Sequence, residues 1–494
     1  MHRIGALIPC LALAAGIILN SSAAFPWWPG ALAISFAAAI YLFILHYSRH
    51  PVAAFRLGKW HSLWVIFLFL GIGMLDECLN RPLTLEDAFG YDFPSSIQGE
   101  VVRILPKTYG DRLDVEIYGT NGALVQIRSG ATSLRVGDIV SFPSARLKRL
   151  AADTSAVNYH TSGMLESKGF LYSAFIPARQ IVADGHNFSF RNLCADIRQE
   201  IEIRMEKSHL SRPAANFLKA VLMGDKNGLD ESTRLTFSQG GTAHMLALSG
   251  LHMSILAGMI MWLMWPLRAA GRYKWGYACA AVILWGYVFV TGMSDSSVRA
   301  CIMISFAFIA IIMERKNAIG QSLASACLLI LIVSPKALFD AGFQLSVVCV
   351  AALIAFASRL NAIDHRRHPR IYRSCEALLT TMVASAASLP LTSFYFGQIP
   401  LMFLPTNVLL LPLLPLYLCA GVIFTFFLCL GWEPAFLTVF LDMGFDFLLW
   451  ATGTLSAGGE YVLSYRISLP ALLLCMLLLS SLAIFIHRTS QNLK

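Results

Sequence analysis

Apolar runs of about 20 residues, the length of one membrane-crossing helix, recur along the chain and are interrupted once by a long polar stretch. The pattern predicts spans at 4–20, 30–46 and 62–79, and a polar insert over 80–242. Further spans follow near 243–265, 276–291, 299–313, 318–334, 344–357 and 375–393. Residues 404–430 are longer than one span and carry Pro405, Pro412 and Pro415, which predicts a broken or re-entrant helix. With 435–452 and 468–487 the total is about twelve spans. The fold class expected is a polytopic α-helical membrane protein with an inserted all-β domain.

Inside the insert the period changes to that of strands. Residues 97–105, 112–118, 123–129, 139–149 and 169–176 are β-rich and separated by Gly-Asp, Thr-Asn-Gly and Val-Gly-Asp turns. Five short strands in a meander fit a small OB-fold-like barrel. Residues 191–222 read as amphipathic helix, with Leu193, Ile197, Ile201 and Met205 against Arg198, Glu202 and Lys207. Such a helix lies on a membrane surface, packs on the barrel or simply connects. The organisation expected is an anchor of three spans (1–79), the OB-like domain (80–185), a helical connector (186–242), a membrane core (243–487) and a short tail (488–494). The first run reads as an uncleaved anchor, although its basic start and the small residues at 21–24 also fit a signal peptide.

Composition supports the membrane assignment. The 494 residues are 56% apolar and 14% charged, against about 25% charged in soluble domains, and the mean hydropathy is +0.62. These values exclude a soluble enzyme, a disordered chain and a secreted disulfide scaffold. Of the eleven cysteines only Cys194 lies in the insert, so no disulfide or thiolate zinc site forms within it.

A net charge of +9 invites a nucleic-acid reading, but its placement argues otherwise. The insert carries 19 Lys and Arg against 18 Asp and Glu, and the remainder 19 against 11. In the membrane part, 16 basic residues fall at the chain ends or in loops on one side and only Arg299, Lys336 and Arg466 on the other. That bias is the positive-inside signal, and it sets the insert on the extracytoplasmic side.

Two places hold candidate chemistry. On the insert, Arg103, Lys107, Arg128, Arg146, Lys148 and Arg149 are DNA-binding candidates, since OB barrels bind single strands with basic and aromatic side chains; equally they are solvated strand faces. At the mouth of the span near 243–265 stand His244, Ser249, Gly250 and His252, with Gly240-Gly241 as a hinge before them. Eight residues place the two histidines about 80° apart on a straight helix, and no third ligand lies nearby, so no metal and no cofactor is expected. Ser249 and His252 are three apart on one helical face. They form either a hydrogen-bonded pair at a helix break or the start of an intramembrane hydrolase site.

The ordered motifs resemble the ComEC family of bacterial competence proteins. They are Leu222-Met223-Gly224-Asp225 with Gly228-Leu229, and Ala243-His244-Met245-Leu246-Ala247-Leu248-Ser249-Gly250-Leu251-His252. Trp285-Gly286-Tyr287, Thr291-Gly292 and Ser296-Ser297-Val298-Arg299-Ala300 follow. Pro335 to Ser346 (PKALFDAGFQLS) comes next, and then Pro390 with Phe394-Tyr395-Phe396-Gly397-Gln398. The insert is similar to that family's OB domain, with 153–176 as its closing segment.

The resemblance implies an inner-membrane channel that passes one strand of transforming DNA. Its partners would be single-stranded DNA, membrane lipids, a periplasmic DNA receptor, a cytoplasmic DNA-handling ATPase and a second copy of the chain. Asp225, His244, Ser249, Gly250, His252 and Gln398 would belong to its motif. Arg299 would meet phosphate at the outer end of a span, with Asp295, Asp340 and Gln344 at the same level to hold it. Many family members carry a metallo-β-lactamase-like domain, and this chain shows no His-x-His-x-Asp-His run. The expectation is therefore a protein without enzymatic activity. The alternative is a transporter or intramembrane hydrolase of related fold acting on another substrate.

Overall fold

A computed structural model describes residues 7–23, 33–34, 60–79, 94–107, 110–120, 123–130, 134–149, 170–314, 318–360, 369–456, 461–468, 470–479 and 481. Most of the expected span 30–46, the segment 153–169 and the tail 488–494 lie outside the described residues. The chain divides into two compact units, Met1–Leu193 with Ala324–Asp340, and Cys194–Leu323 with Ala341–Lys494.

In the first unit α1 (Leu7–Ala23) packs on α2 (Trp60–Leu79). A side chain at Gly16 would run into the carbonyl of Leu70, and one at Gly73 into that of Leu13. Such mutual close approach through small residues is how helices pack where lipid is the solvent.

The polar insert forms a seven-stranded sheet of order β5-β6-β3-β2-β1-β4-β7. Its strands are β1 (Ser96–Lys107), β2 (Gly110–Ile117), β3 (Leu124–Ser129), β4 (Asp138–Pro143), β5 (Lys148–Arg149), β6 (Phe170–Phe175) and β7 (Val182–His186). Every pairing is antiparallel except β3 with β6. β4 and β5 are the two arms of one segment, joined through the turn Ser144–Arg146, yet they stand at opposite sides of the ladder. Five residue steps reach at most about 18 Å, so the sheet curls back towards itself. Ile97, Val101, Leu113, Val115, Ile117, Val125, Ile127, Val140 and Phe142 alternate inward to fill it. β7, fully exposed and polar, carries no apolar alternation and was not foreseen.

In the second unit the helical stretch expected over 191–222, as an amphipathic helix or a connecting bundle, is divided in two. Two helices form, α3 (Phe190–Lys207) and α4 (Arg212–Met223), followed by α5 (Glu231–Gln239). Pro213 sits in the first turn of α4, where its missing N–H costs nothing. The apolar spacing of one in four in α3 gives way to a nearly continuous run from Phe217 to Met223, so α4 is buried rather than superficial. Lys219 is 5% exposed within that run, and Glu206 pairs with it at 2.7 Å.

The remaining helices are α6 (Gly250–Leu263), α7 (Tyr273–Val290), α8 (Asp295–Ile312), α9 (Ala318–Val333), α10 (Ala341–Leu360), α11 (Pro369–Phe396), α12 (Phe403–Leu410), α13 (Leu413–Cys429) and α14 (Ala435–Ser456). Two short strands, Ile399–Pro400 and Val462–Leu463, pair beyond α11 and α14. α12 and α13 meet at a 47° bend next to Pro412, the break that the prolines predict. Among the described residues α8 and α14 are long and apolar enough to cross a membrane, and α12 with α13 makes a third if counted as one span. Six further apolar helical stretches are shorter.

The largest core joins α4 to α13 and α14. At its centre the Phe217 ring lies 5.5 Å from Phe237, 5.4 Å from Tyr417 and 5.2 Å from Phe445. Phe217→Ala is expected to cost about 3–5 kcal/mol and to lower the thermal unfolding midpoint of the detergent-solubilised chain. Phe175→Ala, at a side chain 67% exposed, leaves that midpoint unchanged.

Candidate functional site

The site is built on a helix break. Gly240-Gly241 acts there by close approach rather than as a hinge. A Cβ on Gly240 would come 2.6 Å from the Thr452 methyl, and one on Gly241 2.5 Å from Phe403 Cβ. Gly241 also has φ +72, which a glycine adopts freely. Thr242 N donates to Phe237 O and Met245 N to Thr242 O, each at 2.8 Å, so the amides of the break are satisfied within the protein, as apolar surroundings demand. Ala247 and Ser249 are extended, and α6 starts at Gly250.

Ser249 occupies the N-cap of α6, and His252 is the third residue of the first turn. A capping box places Glu or Gln there to reach back; here Ser249 Oγ and His252 Nδ1 bond at 2.7 Å. The imidazole is 5% exposed, and its Nε2 is buried without a partner among the described residues. The serine hydroxyl meets the imidazole and not the backbone N–H groups of the first turn, so the bond joins two side chains at the start of α6. His244 lies exposed on the turn Ala243–Leu246. Among the described residues no three His, Cys, Asp or Glu side chains come together.

Neighbouring motif segments converge on the same place. Tyr287 of α7 donates its hydroxyl proton to the carbonyl of Leu222. Gly224, with φ +74, closes α4. Asp225 Oδ1 accepts from Asn227 N at 3.0 Å and Nδ2 at 2.7 Å, a local turn bond. Arg198 of α3 reaches Glu202 at 2.7 Å and the carbonyl of Thr291 at 3.1 Å. A Cβ on Gly292 would stand 2.7 Å from that guanidinium, so the glycine makes room for it. Burial raises the Glu202 carboxyl above its ordinary range despite the adjacent Arg198. Sequence reasoning took Arg198 and Glu202 only as a polar helix face; their i,i+4 spacing was the available signal.

Ser294 caps α8, its Oγ accepting from Ser297 N at 3.3 Å. Asp295 sits in the first turn, where the helix dipole favours a carboxylate. Arg299 is buried one turn further. Gln344 at the start of α10 accepts from the Tyr395 hydroxyl at 3.0 Å, and Gln398 is exposed beyond α11. Asp295, Arg299 and Gln344 belong to the second unit, and Asp340, after the turn Pro335–Phe339, to the first.

On the seven-stranded sheet, register gathers basic candidates into rows across the strands. Arg103, Asp114, Gln126, Ser173 and Lys148 are successive cross-strand partners. The adjacent row runs from Leu105 through Arg112 and Arg128 to Phe175. Arg146 reaches the Phe175 carbonyl at 3.5 Å, and Arg149 is exposed beside Lys148. Lys107 ends β1 opposite Gly110. Arg112 and Phe175 were missed from sequence, because only the parallel β3–β6 pairing brings Phe175 beside Arg128.

A family model described as Competence protein matches residues 221–489. ComE operon protein 3 of Bacillus subtilis (strain 168) is 22% identical over 393 residues, which covers 78% of this chain and 48% of that protein. Uncharacterized protein YcaI of Escherichia coli (strain K12) is 27% identical over 221 residues, 41% of this chain and 28% of that protein. The chain thus spans about half the length of the first relative and less of the second. No solved structure matches it.

Asp114 is buried in the basic face, and burial raises its carboxyl above the ordinary 3.8 although Arg112 pulls the other way. The folded chain therefore holds this proton more tightly than the unfolded chain does. The stabilisation is present below about pH 4 and is lost as pH rises through the folded value. Asp114→Asn is expected to raise the unfolding midpoint over the parent at pH 7, with the advantage gone at pH 3.5. An equal difference at both pH values contradicts this.

Proposed function

Because the chain belongs to the competence protein family, whose model matches more than half of it, we propose that it carries one strand of transforming DNA across the bacterial inner membrane. The observation that carries this reading is the family match itself. It begins within α4 and extends over the helix break, Arg299 and the bent α12–α13 pair. In this reading the chain spans the membrane about twelve times, and its mixed sheet is an extracytoplasmic OB-type barrel. The strand connectivity supports the barrel, since a parallel pairing of the third and last long strands with a bent fourth strand is what closing a five-stranded Greek-key sheet needs.

The basic rows around Phe175 suit a single strand, with phosphates on Arg103, Arg128, Arg146 and Lys148 and a base stacked on the exposed ring. Within the membrane core, Arg299 meets phosphate weakly enough to release it, as conduction requires. A periplasmic receptor supplies the strand, a cytoplasmic ATPase takes it up, and a second copy of the chain completes the path. The chain conducts DNA and catalyses no step.

The test is uptake of fluorescent double-stranded DNA in a deletion strain and its complemented parent, scoring nuclease-protected cytoplasmic label apart from periplasmic label. Deletion should trap label outside the inner membrane, and Arg299→Ala and His252→Ala should reduce cytoplasmic label while the protein stays in the membrane. Unchanged cytoplasmic label on deletion overturns the DNA reading in favour of another substrate. In vitro, Phe175→Ala should weaken binding of a short oligothymidylate by about 1–3 kcal/mol, measured by fluorescence anisotropy on the solubilised chain.

A further inference from the structure

His252 lines a small cavity between four helices, α4, α6, α7 and α13. About 10 Å³ of it is open to the centre of a water molecule, roughly the space that one water occupies. The walls are aliphatic, from Val221, Leu256, Leu418 and their neighbours, apart from the imidazole and the phenol of Tyr287. Two polar groups thus face one small apolar space.

Their hydrogen-bonding states are constrained. The Tyr287 hydroxyl spends its proton on the Leu222 carbonyl, which leaves its oxygen as an acceptor. His252 Nδ1 is engaged by Ser249 Oγ, which leaves Nε2 buried and unpartnered among the described residues. If the serine donates, Nε2 carries the proton; if Nδ1 donates, Nε2 offers a lone pair. Water serves either tautomer, whereas a metal ion serves only the second and would find a single nitrogen ligand in an aliphatic shell.

We propose that this cavity is a binding site for one ordered water, which bridges His252 Nε2 and the Tyr287 oxygen and so ties α6 to α7 and, through Leu222, to the end of α4. The bridge fixes the start of α6 as a rigid wall of the membrane core. This assignment is independent of the substrate of the chain.

The experiment uses the full chain in liposomes, labelled with ¹⁵N-histidine, and proton-detected solid-state NMR. The ring nitrogen signal that disappears in His252→Gln should correlate with a slowly exchanging water proton. Its correlation with protein protons alone overturns the proposal. Thermal unfolding of His252→Phe, Tyr287→Phe and the double variant gives a second reading. A shared water predicts that the double variant loses less than the sum of the two single losses, because either substitution alone already forfeits the water, whereas the Ser249–His252 and Tyr287–Leu222 bonds are lost one with each. Additive losses overturn the bridge.

Discussion

The second unit depends on the burial of one short helix. From Phe217 to Met223 α4 is apolar at every position but Lys219, which Glu206 pairs, and only enclosure on every side satisfies such a run. α13 and α14 supply that enclosure, and the approach is close: a Cβ on Gly421 would fall 2.5 Å from Leu218. Once α4 is held, its C-terminal carbonyls and the Gly224–Leu229 turn are held too. Leu222 then presents its carbonyl to Tyr287, which brings α7 alongside α6.

Enclosure leaves polar groups with few choices. In the α3–α4 turn, Ser211 N and Oγ both donate to Asp442 of α14, at 3.1 and 2.8 Å, which occupies an otherwise orphaned helix start. Arg204 satisfies the last carbonyl of α13, Cys429 O, at 2.8 Å. The hydroxyls of Thr406, Thr425 and Thr452 return to carbonyls four residues back. The helix break before α6 follows the same rule, with backbone bonds joined by the Thr242 hydroxyl, which donates to the Phe237 carbonyl at 3.1 Å. A buried polar atom without a partner would cost about 1–3 kcal/mol, and among the described residues His252 Nε2, Asn407 Oδ1 and Tyr417 OH are places in this unit where the accounting by protein atoms stops short.

The two candidate regions use opposite physics. The sheet exposes Arg103, Arg128, Arg146, Lys148 and Arg149, so any attraction of these side chains for a polyanion is long-ranged and sensitive to salt. The helix break holds no carboxylate from Gly240 to His252, and its Ser249–His252 pair is set by a hydrogen bond, with His252 buried and His244 exposed.

The sequence by itself determined which segments are apolar, where the strands of the insert other than β7 run and where the chain must break. Those features depend on local periodicity, on the prolines near 405–415 and on glycine pairs, whose conformational limits act within a few residues. It also placed Ser249 and His252 within reach, because a three-residue offset in a first helical turn leaves little freedom. Only the tertiary structure decided that α4 is core, that Gly240-Gly241 serves close packing, and that Arg198 holds the Thr291–Gly292 turn. It alone set Phe175 beside Arg128 and His252 opposite Tyr287. Each of these joins residues far apart in the chain, and which distant surfaces meet follows from packing and enclosure, which no local pattern of residues encodes.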